Sequence, residues 1–410
     1  MKDNSENKDQ FLRIGTQIYL KEITPSGKEQ LIPWSSNAIY QDYGKDRTAE
    51  ILKSMPKYVG WINEPSHTDY QPVIGRWMNL YQPLPYEPRP GVDIPNTRQF
   101  LQHIFGEHYE LGLDYLQLLY NEPKQKLPIL LLVSKERNTG KSTFLKFLKA
   151  IFGANATYNT NENFKSQFNS DWANKLLIMI DEAFFDKLEY TERLKNLNTA
   201  ETYKLEAKGK DPGEIDFHGK FVLCSNNLDR PLIIEPGETR FWVIKVPKLL
   251  HDDTMMKEKL MYEIPAFLDF LLHRQLSTEC TSRMWFDFRD YHTSALDRII
   301  ASNRGRLEQQ IADLLMDIVT NCNLDVIQFC VKDVLDLLQV KGYQGRNNID
   351  ENSIRRVLRY TWELEPVKNG LTYQRYTYAP ERSDGYFVIQ SVGRYFTMTR
   401  ERLQKLTFSN

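Results

Sequence analysis

The sequence is poor in cysteine, and its cysteines are not spaced for a metal site or a disulfide framework. It has four cysteines in 410 residues, none in a C-x-x-C spacing, and seven scattered histidines. Zinc modules and disulfide-rich scaffolds need denser and more regular patterns. We therefore expect free thiols, no zinc site and a reducing compartment.

Long hydrophobic runs are also missing. The longest, LPILLLV at 127–133 and KLLIMI at 175–180, are far shorter than the roughly 20 apolar residues with which a helix crosses a bilayer. The opening residues, MKDNSENKDQ, contain no apolar core of the kind found in signal peptides. We expect a soluble, cytoplasmic protein with no membrane partner.

Neither sign of charge prevails. The chain has 53 Lys and Arg against 54 Asp and Glu, for a net charge of −1. Any contact with nucleic acid must therefore come from local clusters of basic residues. Aromatic residues make up 12% of the chain, which favours a folded protein over a disordered one.

Four short apolar runs predict the strands of a parallel sheet that is buried on both faces. They lie at 129–133, 175–180, 220–225 and 241–246, and helical or hairpin-like stretches separate them. We expect an α/β fold whose core covers residues 101–250. A mixed region over 1–100, which ends in a proline-rich connector, precedes this core.

The C-terminal part of the sequence has a different pattern. Three amphipathic helices are followed by two strand-like runs around Asn369-Gly370, a dipeptide typical of hairpin turns. This order is typical of a winged helix, which we assign to 305–380. We expect a helical connector over 251–304 and a basic tail over 381–410.

The stretch 135–142, KERNTGKS, follows an apolar run, opens a helical pattern and matches most of the phosphate-loop pattern G-x-x-x-x-G-K-[ST]. Such loops bind phosphate through inward-facing N–H groups, a helix N-terminus and a lysine. Gly140 allows close approach of the backbone, Lys141 reaches the phosphates, and the Ser142 hydroxyl is placed for Mg²⁺. The predicted nucleotide-binding residues are Asn138, Thr139, Gly140, Lys141, Ser142 and Thr143.

Two positions of this stretch depart from the glycine pattern. Lys135 stands where the first glycine is expected, which costs conformational freedom but removes no amide donor. Asn138 stands where many such loops have another glycine. Because asparagine tolerates the left-handed conformation well, we expect the loop to form with Asn138 in that conformation.

Polar residues follow two of the other apolar runs. We predict that Asp181 holds Mg²⁺ together with Ser142. Glu182 is expected to polarise the water that attacks the γ-phosphate of a bound nucleotide. Asn226 is expected to contact the γ-phosphate or that water, while Asn227 starts a turn. A solvated acidic pair and a purely turn-forming asparagine are the alternatives.

Arg240 comes directly before the last apolar run. An arginine at this position can reach the nucleotide of a neighbouring subunit and stabilise charge during hydrolysis. Arg230 is a weaker candidate for the same role, and an ordinary surface arginine is the alternative.

Together these elements resemble the superfamily 3 helicases, which are AAA+-related motors of small viruses, phages and mobile elements. The resemblance covers roughly residues 101–250 and, more loosely, the C-terminal winged helix. It implies an AAA+-like phosphate-loop core, ATP and Mg²⁺ as cofactors, and a homo-oligomeric ring, expected to be a hexamer. It also implies single-stranded or forked DNA as substrate, a bacterial host cell, and a separate primase or polymerase as partner.

Members of that family carry a basic β-hairpin between the acidic pair and the asparagine. The stretch YKLEAKGKDPGEIDFHGK at 203–220 fits this slot. By that likeness Lys208 and Lys210 form a DNA-contacting tip, and His218 and Lys220 support it. A solvated lysine-rich turn is the alternative.

Duplex DNA is the expected ligand of the winged helix. Its third helix carries Arg355, Arg356 and Arg359, and the spacing places Arg355 and Arg359 on one face. A role as an oligomer contact alone remains open. The favoured function is an ATP-dependent DNA helicase or translocase, and the alternative is a nucleotide-gated DNA-binding initiator or regulator that does not unwind.

Overall fold

A computed structural model describes residues 10–407, apart from 26, 28, 167, 206–212, 236, 250, 252, 342–348 and 383–384. The N-terminal region alternates short strands with two helices. Its first sheet has the order β3-β2-β1-β4 and its second the order β5-β7-β6. The elements are β1 (Phe11–Ile14), β2 (Gln17–Ile23), β3 (Glu29–Trp34), α1 (Ser36–Tyr43), α2 (Lys45–Ser54), β4 (Lys57–Tyr58), β5 (Gly60–Ile62), β6 (Val73–Ile74) and β7 (Trp77–Asn79).

The centre of the fold is a five-stranded parallel sheet with the order β14-β8-β13-β10-β9. The predicted parallel sheet is thus confirmed, and β9 adds a strand to it. The elements of this part of the chain, in which β11 and β12 form a separate two-stranded sheet, are α3 (Pro95–Phe105), α4 (Tyr109–Asn121), β8 (Ile129–Val133), α5 (Lys141–Phe152), β9 (Ala156–Asn159), α6 (Asn161–Lys165), β10 (Leu177–Ile180), α7 (Leu188–Thr199), β11 (Thr202–Leu205), β12 (Gly213–Asp216), β13 (Lys220–Ser225) and β14 (Phe241–Lys245).

Both faces of this sheet are buried, which explains why its strands are continuously apolar. Along β8, Leu130 and Leu132 pack into the cluster that contains residues of α3, α4 and α5. Ile129, Leu131 and Val133 pack into the opposite cluster, which contains residues of α6 and α7. Successive side chains of a strand point to opposite faces, so one strand serves both clusters.

Helices α8 (Met256–His273), α9 (Phe288–Tyr291) and α10 (Ser294–Asn321) follow the sheet. Buried Glu263 of α8 fixes the start of α3, because its carboxylate accepts hydrogen bonds from the N–H groups of Asn96 at 3.2 Å and Thr97 at 2.7 Å. A carboxylate at this end satisfies unpaired N–H groups and complements the helix dipole. No helix in the described part of the chain is long and apolar enough to span a bilayer.

The C-terminal unit contains β15 (Val326–Phe329), α11 (Val331–Val340), α12 (Glu351–Arg356), β16 (Leu371–Tyr378), β17 (Tyr386–Gly393), β18 (Phe396–Thr399) and α13 (Arg400–Thr407). Strand β16 pairs with β17, and β15 pairs with β18, both antiparallel. Helix α10 crosses the boundary expected at residues 304 and 305 and packs against α11 and α13. Three helices followed by a hairpin therefore occur in the predicted order.

Two predictions about this unit are wrong. The hairpin turn lies at 379–385, where Ala379 N–H donates to the carbonyl of Gly385 at 2.9 Å, and not at Asn369-Gly370. Pro366 lacks a donor for a ladder before that dipeptide, whereas residues 371–378 find partners along the whole of β17. The described residues of the expected tail, 386–407, are not a tail, because β17, β18 and α13 belong to the packed unit.

Candidate nucleotide-binding site

The predicted site residues follow the carboxyl ends of strands in the central sheet. Strand β13 lies between β8 and β10, and all three run in the same direction. The residues that follow them are therefore neighbours: the 134–140 loop after β8, Asn226 after β13, and Asp181-Glu182 after β10. The carboxyl ends of parallel strands are where such sheets bind ligands.

The 134–140 loop leads from β8 into the N-terminus of α5 with two residues in the left-handed region. Asn138 has φ of 55°, as predicted, and Gly140 has φ of 86°. A side chain at Gly140 would also be tight, because an added Cβ would lie 3.1 Å from a ring carbon of Phe100. Glycine is thus needed at position 140 for both conformation and space.

Two hydrogen bonds from distant residues fix the backbone carbonyls of this loop. His103 on α3 lies with its Nε2 3.0 Å from the carbonyl oxygen of Thr139, to which it donates. The N–H of Leu249 donates to the carbonyl of Asn138 at 3.0 Å. Neither contact could be read from the sequence, because both partners are distant along the chain.

Lys141 opens α5 and is folded inward. Its side chain is buried, and Nζ donates to Thr139 Oγ1 at 3.0 Å. Burial lowers the pKa of this ammonium below its usual value, while nearby Cys224 and Asp181 oppose that shift. Lys141 therefore stands at the helix N-terminus with a single neutral acceptor among the described side chains. Thr143 lies in the first turn of the same helix.

Ser142 and Asp181 are brought into contact. Ser142 Oγ donates to Asp181 Oδ2 at 2.8 Å, and Asp181 Oδ1 accepts from the N–H of Glu182 at 3.1 Å. Both side chains are exposed. The structure therefore places a hydroxyl and a carboxylate side by side at the N-terminus of α5.

Glu182 occupies an unusual backbone conformation. Its φ is 56°, a region that costs a non-glycine residue free energy. Asn161, at the start of α6, brackets this turn: its Nδ2 donates to the carbonyl of Glu182 at 3.1 Å, and its Oδ1 accepts from the N–H of Phe184 at 3.1 Å. We did not predict Asn161. No pattern in the neighbouring sequence marks this contact, because the turn that Asn161 holds lies 21 residues further along the chain.

Asn226 is exposed and lines an open cleft of about 460 Å³ together with Lys135, Glu182 and Phe184. Asn227 instead starts a turn, because its Oδ1 accepts from the N–H groups of Asp229 at 3.1 Å and Arg230 at 2.8 Å. The turn expected at Asn227 is thus present, and the contact of Asn226 with the γ-phosphate or the water stays a prediction.

Arg240 lies at the opposite end of the sheet, beside the amino-terminal ends of β8 and β14. Its carbonyl accepts from the N–H of Ile129, at the start of β8, and its guanidinium pairs with buried Glu238 at 2.9 Å. The five residues of β8, roughly 16 Å, separate this end from the 134–140 loop. Arg240 is therefore not part of the site formed within one chain, and Arg230 is exposed on the turn after Asn226.

The arms of the predicted hairpin are present. Strands β11 and β12 pair antiparallel, with Tyr203 opposite Ile215. The expected tip residues Lys208 and Lys210 lie outside the described residues. His218 and Lys220 differ from expectation: burial lowers the pKa of His218 to about 3, and Lys220 is 1% exposed with its ammonium donating to the carbonyls of Pro123 and His218.

This burial does not fit the predicted DNA contacts of His218 and Lys220. Lys220 is the first residue of the buried strand β13, and its ammonium is held by the carbonyls of Pro123 and His218, so it cannot reach a phosphate outside. His218 is uncharged at neutral pH, since its pKa lies near 3. We leave both residues out of the proposed DNA-contacting set.

Three arginines were predicted on the third helix of the winged helix. All three are exposed, and each forms an ion pair. Arg355 and Arg356 lie on α12, and Arg359 lies on the turn that follows. Arg355 pairs with Glu351 at 3.4 Å within its own helix, and Arg359 with Glu365 at 3.8 Å. Arg356 pairs with Glu235 at 2.6 Å and so links this unit to the loop before β14.

Known proteins match this chain in sequence and in structure. A model described as a family of unknown function (DUF5906) matches residues 132–240. The DNA primase-polymerase of Nitratiruptor phage NrS-1 is 27% identical over 222 residues, which cover 52% of this chain and 30% of that protein. This chain therefore aligns with less than a third of that relative's length.

The solved structures include the apo C-terminal region of NrS-1, with a TM-score of 0.57 and 18% identity over 93% of this chain and 96% of that one. The A form of the same region gives the same values. The active helicase Cch of SCCmec type IV is a more distant structural match, with a TM-score of 0.42 at 11% identity over 95% of this chain and 92% of that one. The chain thus shares its fold with the C-terminal region of NrS-1 and resembles part of a phage primase-polymerase in sequence.

Proposed function

We propose that this protein is an ATP-hydrolysing motor, a DNA helicase or translocase that serves replication of a phage or mobile element. The observation that carries the proposal is the contact between Ser142 Oγ and Asp181 Oδ2 at 2.8 Å, beside Lys141 at the N-terminus of α5. A hydroxyl, a carboxylate and a lysine at a helix N-terminus are the groups that bind a magnesium–triphosphate complex.

The donor set fits Mg²⁺. Magnesium prefers oxygen ligands and is held by one or two protein groups together with water and phosphate oxygens. Ser142 and Asp181 supply a hydroxyl and a carboxylate that are exposed and already adjacent. When bound, the ion would neutralise charge that develops on the phosphates during hydrolysis.

The chain's own residues have separate tasks in this proposal. The N–H groups at the start of α5 and the Lys141 ammonium bind the phosphates, and Lys141 exchanges Thr139 Oγ1 for a phosphate oxygen. Glu182 accepts a proton from the attacking water, and Asn226 orients that water from across the cleft. The turn bracketed by Asn161 keeps the Glu182 carboxylate at this end of the sheet.

Arg240 is proposed to act on the site of the next subunit in a ring, expected to be a hexamer. Its place at the far end of the sheet rules out contact with the nucleotide of its own chain. Closed rings form through heterologous interfaces, in which one face of a subunit meets a different face of the next. The site lies at the carboxyl ends of the strands and Arg240 at their amino-terminal ends. This separation suits a ring in which the arginine of one subunit reaches the site of the next.

Movement of DNA is assigned to the β11–β12 hairpin. Lys208 and Lys210, which come between the two strands in the sequence, would bind the phosphates of a single strand independently of base sequence, with strong dependence on salt. The C-terminal unit, proposed as a winged helix, would contact duplex DNA through Arg355 and Arg359. The similarity to a phage DNA primase-polymerase supports DNA as the nucleic acid. A primase or polymerase is the proposed partner.

The test is strand displacement on forked DNA with ATP and Mg²⁺, run together with the mass of the assembled particle. A motor displaces the strand only with ATP and elutes as a ring-sized assembly. DNA binding that responds to nucleotide without any displacement would instead support the initiator or regulator.

A further inference from the structure

Lys135 has no role in the chemistry described so far. It is the first residue of the pattern G-x-x-x-x-G-K-[ST], where glycine is expected, and its side chain is 61% exposed. It lines the open cleft together with Glu182 and Asn226. We propose that Lys135 is a second phosphate-binding cation that donates to the terminal phosphate of the bound triphosphate.

The backbone explains how Lys135 reaches that cleft. The N–H of Ser134 donates to the carbonyl of Ser225 at 3.1 Å, which continues the pairing of β8 with β13 by one residue. Lys135 and Asn226 therefore leave adjacent strands side by side. In the proposed function Lys141 and the N-terminus of α5 bind the β- and γ-phosphates. The terminal phosphate and the attacking water then lie at the cleft beside Glu182, where Lys135 adds a second cation.

The present partner of Lys135 can be exchanged. Its Nζ lies 3.4 Å from Asp229 Oδ2, in an exposed pair of the kind that contributes little to stability. Asp229 has another cationic partner, since Arg298 Nε lies 2.5 Å from Oδ1. Asp229 therefore stays paired when Lys135 leaves.

A terminal phosphate is a stronger partner than this carboxylate. It carries close to two negative charges and three acceptor oxygens, and charge-assisted hydrogen bonds to phosphate are among the strong ones. ADP lacks the γ-phosphate, which is the group that Lys135 is proposed to bind. The inference rests on the proposed function, and it predicts that Lys135 distinguishes triphosphate from diphosphate.

The experiment compares the affinities of a non-hydrolysable ATP analogue and of ADP in the presence of Mg²⁺. We expect Lys135→Met to weaken binding of the analogue on the order of tenfold and to leave ADP binding unchanged. Lys135→Gly, which restores the glycine of the pattern, gives the same loss, and Lys135→Arg keeps most of the affinity. Lys187→Met is the matched control, because Lys187 is exposed, pairs with Glu189 at 3.5 Å and lies outside the cleft.

An unchanged ratio of the two affinities in folded Lys135→Met and Lys135→Gly would overturn the inference. Lys141→Ala separates this failure from failure of the proposed function. Loss of all nucleotide binding in Lys141→Ala, with an unchanged ratio in the Lys135 variants, removes the role of Lys135 alone. Full nucleotide binding by Lys141→Ala removes the nucleotide site and the role of Lys135 with it.

Discussion

Asn161→Ala tests whether the turn at Glu182 must be held in place for hydrolysis. The substitution removes two hydrogen bonds, to the carbonyl of Glu182 and from the N–H of Phe184. A neutral hydrogen bond contributes about 1 kcal/mol, and the left-handed conformation costs a non-glycine residue roughly 1–2 kcal/mol. Without Asn161 the turn loses about 2 kcal/mol of support, which corresponds to about thirtyfold in rate.

The assay is steady-state ATP hydrolysis with Mg²⁺, with kcat and KM measured separately. We expect kcat to fall by about thirtyfold at most, with KM and ADP affinity near those of the wild type, because the phosphate-binding groups are untouched. Asn163→Ala is the control, since Asn163 lies exposed on the same helix. A folded Asn161→Ala protein with the wild-type kcat would refute the reasoning.

Four further predictions concern other parts of the chain. Lys141→Ala abolishes ATP hydrolysis in a phosphate-release assay, and residual turnover near the wild-type rate would contradict its role. The double variant Lys208→Ala, Lys210→Ala keeps basal hydrolysis but loses stimulation by single-stranded DNA, and unchanged strand displacement would remove the hairpin from the mechanism. Gly140→Ala weakens ATP and ADP binding alike in calorimetry, because its φ of 86° and its contact with a neighbouring ring both disfavour a side chain. Glu263→Gln lowers the free energy of unfolding by about 2 kcal/mol in denaturant titration, because a charged acceptor at a helix N-terminus is lost; an unchanged midpoint would contradict this.

The part of the site that is encoded locally could be predicted. The conformation of Asn138 follows from its residue type, and the place of Asp181 follows from its position after an apolar run. The parallel sheet follows from short runs that are apolar without alternation. The catalytic and binding roles of these residues remain proposals for the experiments above.

Contacts between distant segments could not be predicted in this way. Strand β9 was missed because its sequence, ATYN, is too short and polar to stand out. Asn161 acts on a turn that lies some twenty residues further along the chain, and no local pattern marks that contact. Lys220 looked like a surface cation, but its place at the start of a buried strand determines its environment. At Asn369-Gly370 a strong local turn signal was overruled by the longer pairing of β16 with β17.

The central claim is that the end of the sheet carrying Lys141, Asp181 and Glu182 hydrolyses ATP and that DNA controls the rate. The most direct measurement is the rate of phosphate release by the wild type and by Glu182→Gln, with Mg²⁺, at increasing concentrations of single-stranded DNA. We predict a wild-type rate that rises with DNA and a Glu182→Gln protein that binds ATP but releases almost no phosphate. Equal rates for the two proteins, or no release by the wild type at any DNA concentration, would contradict the account.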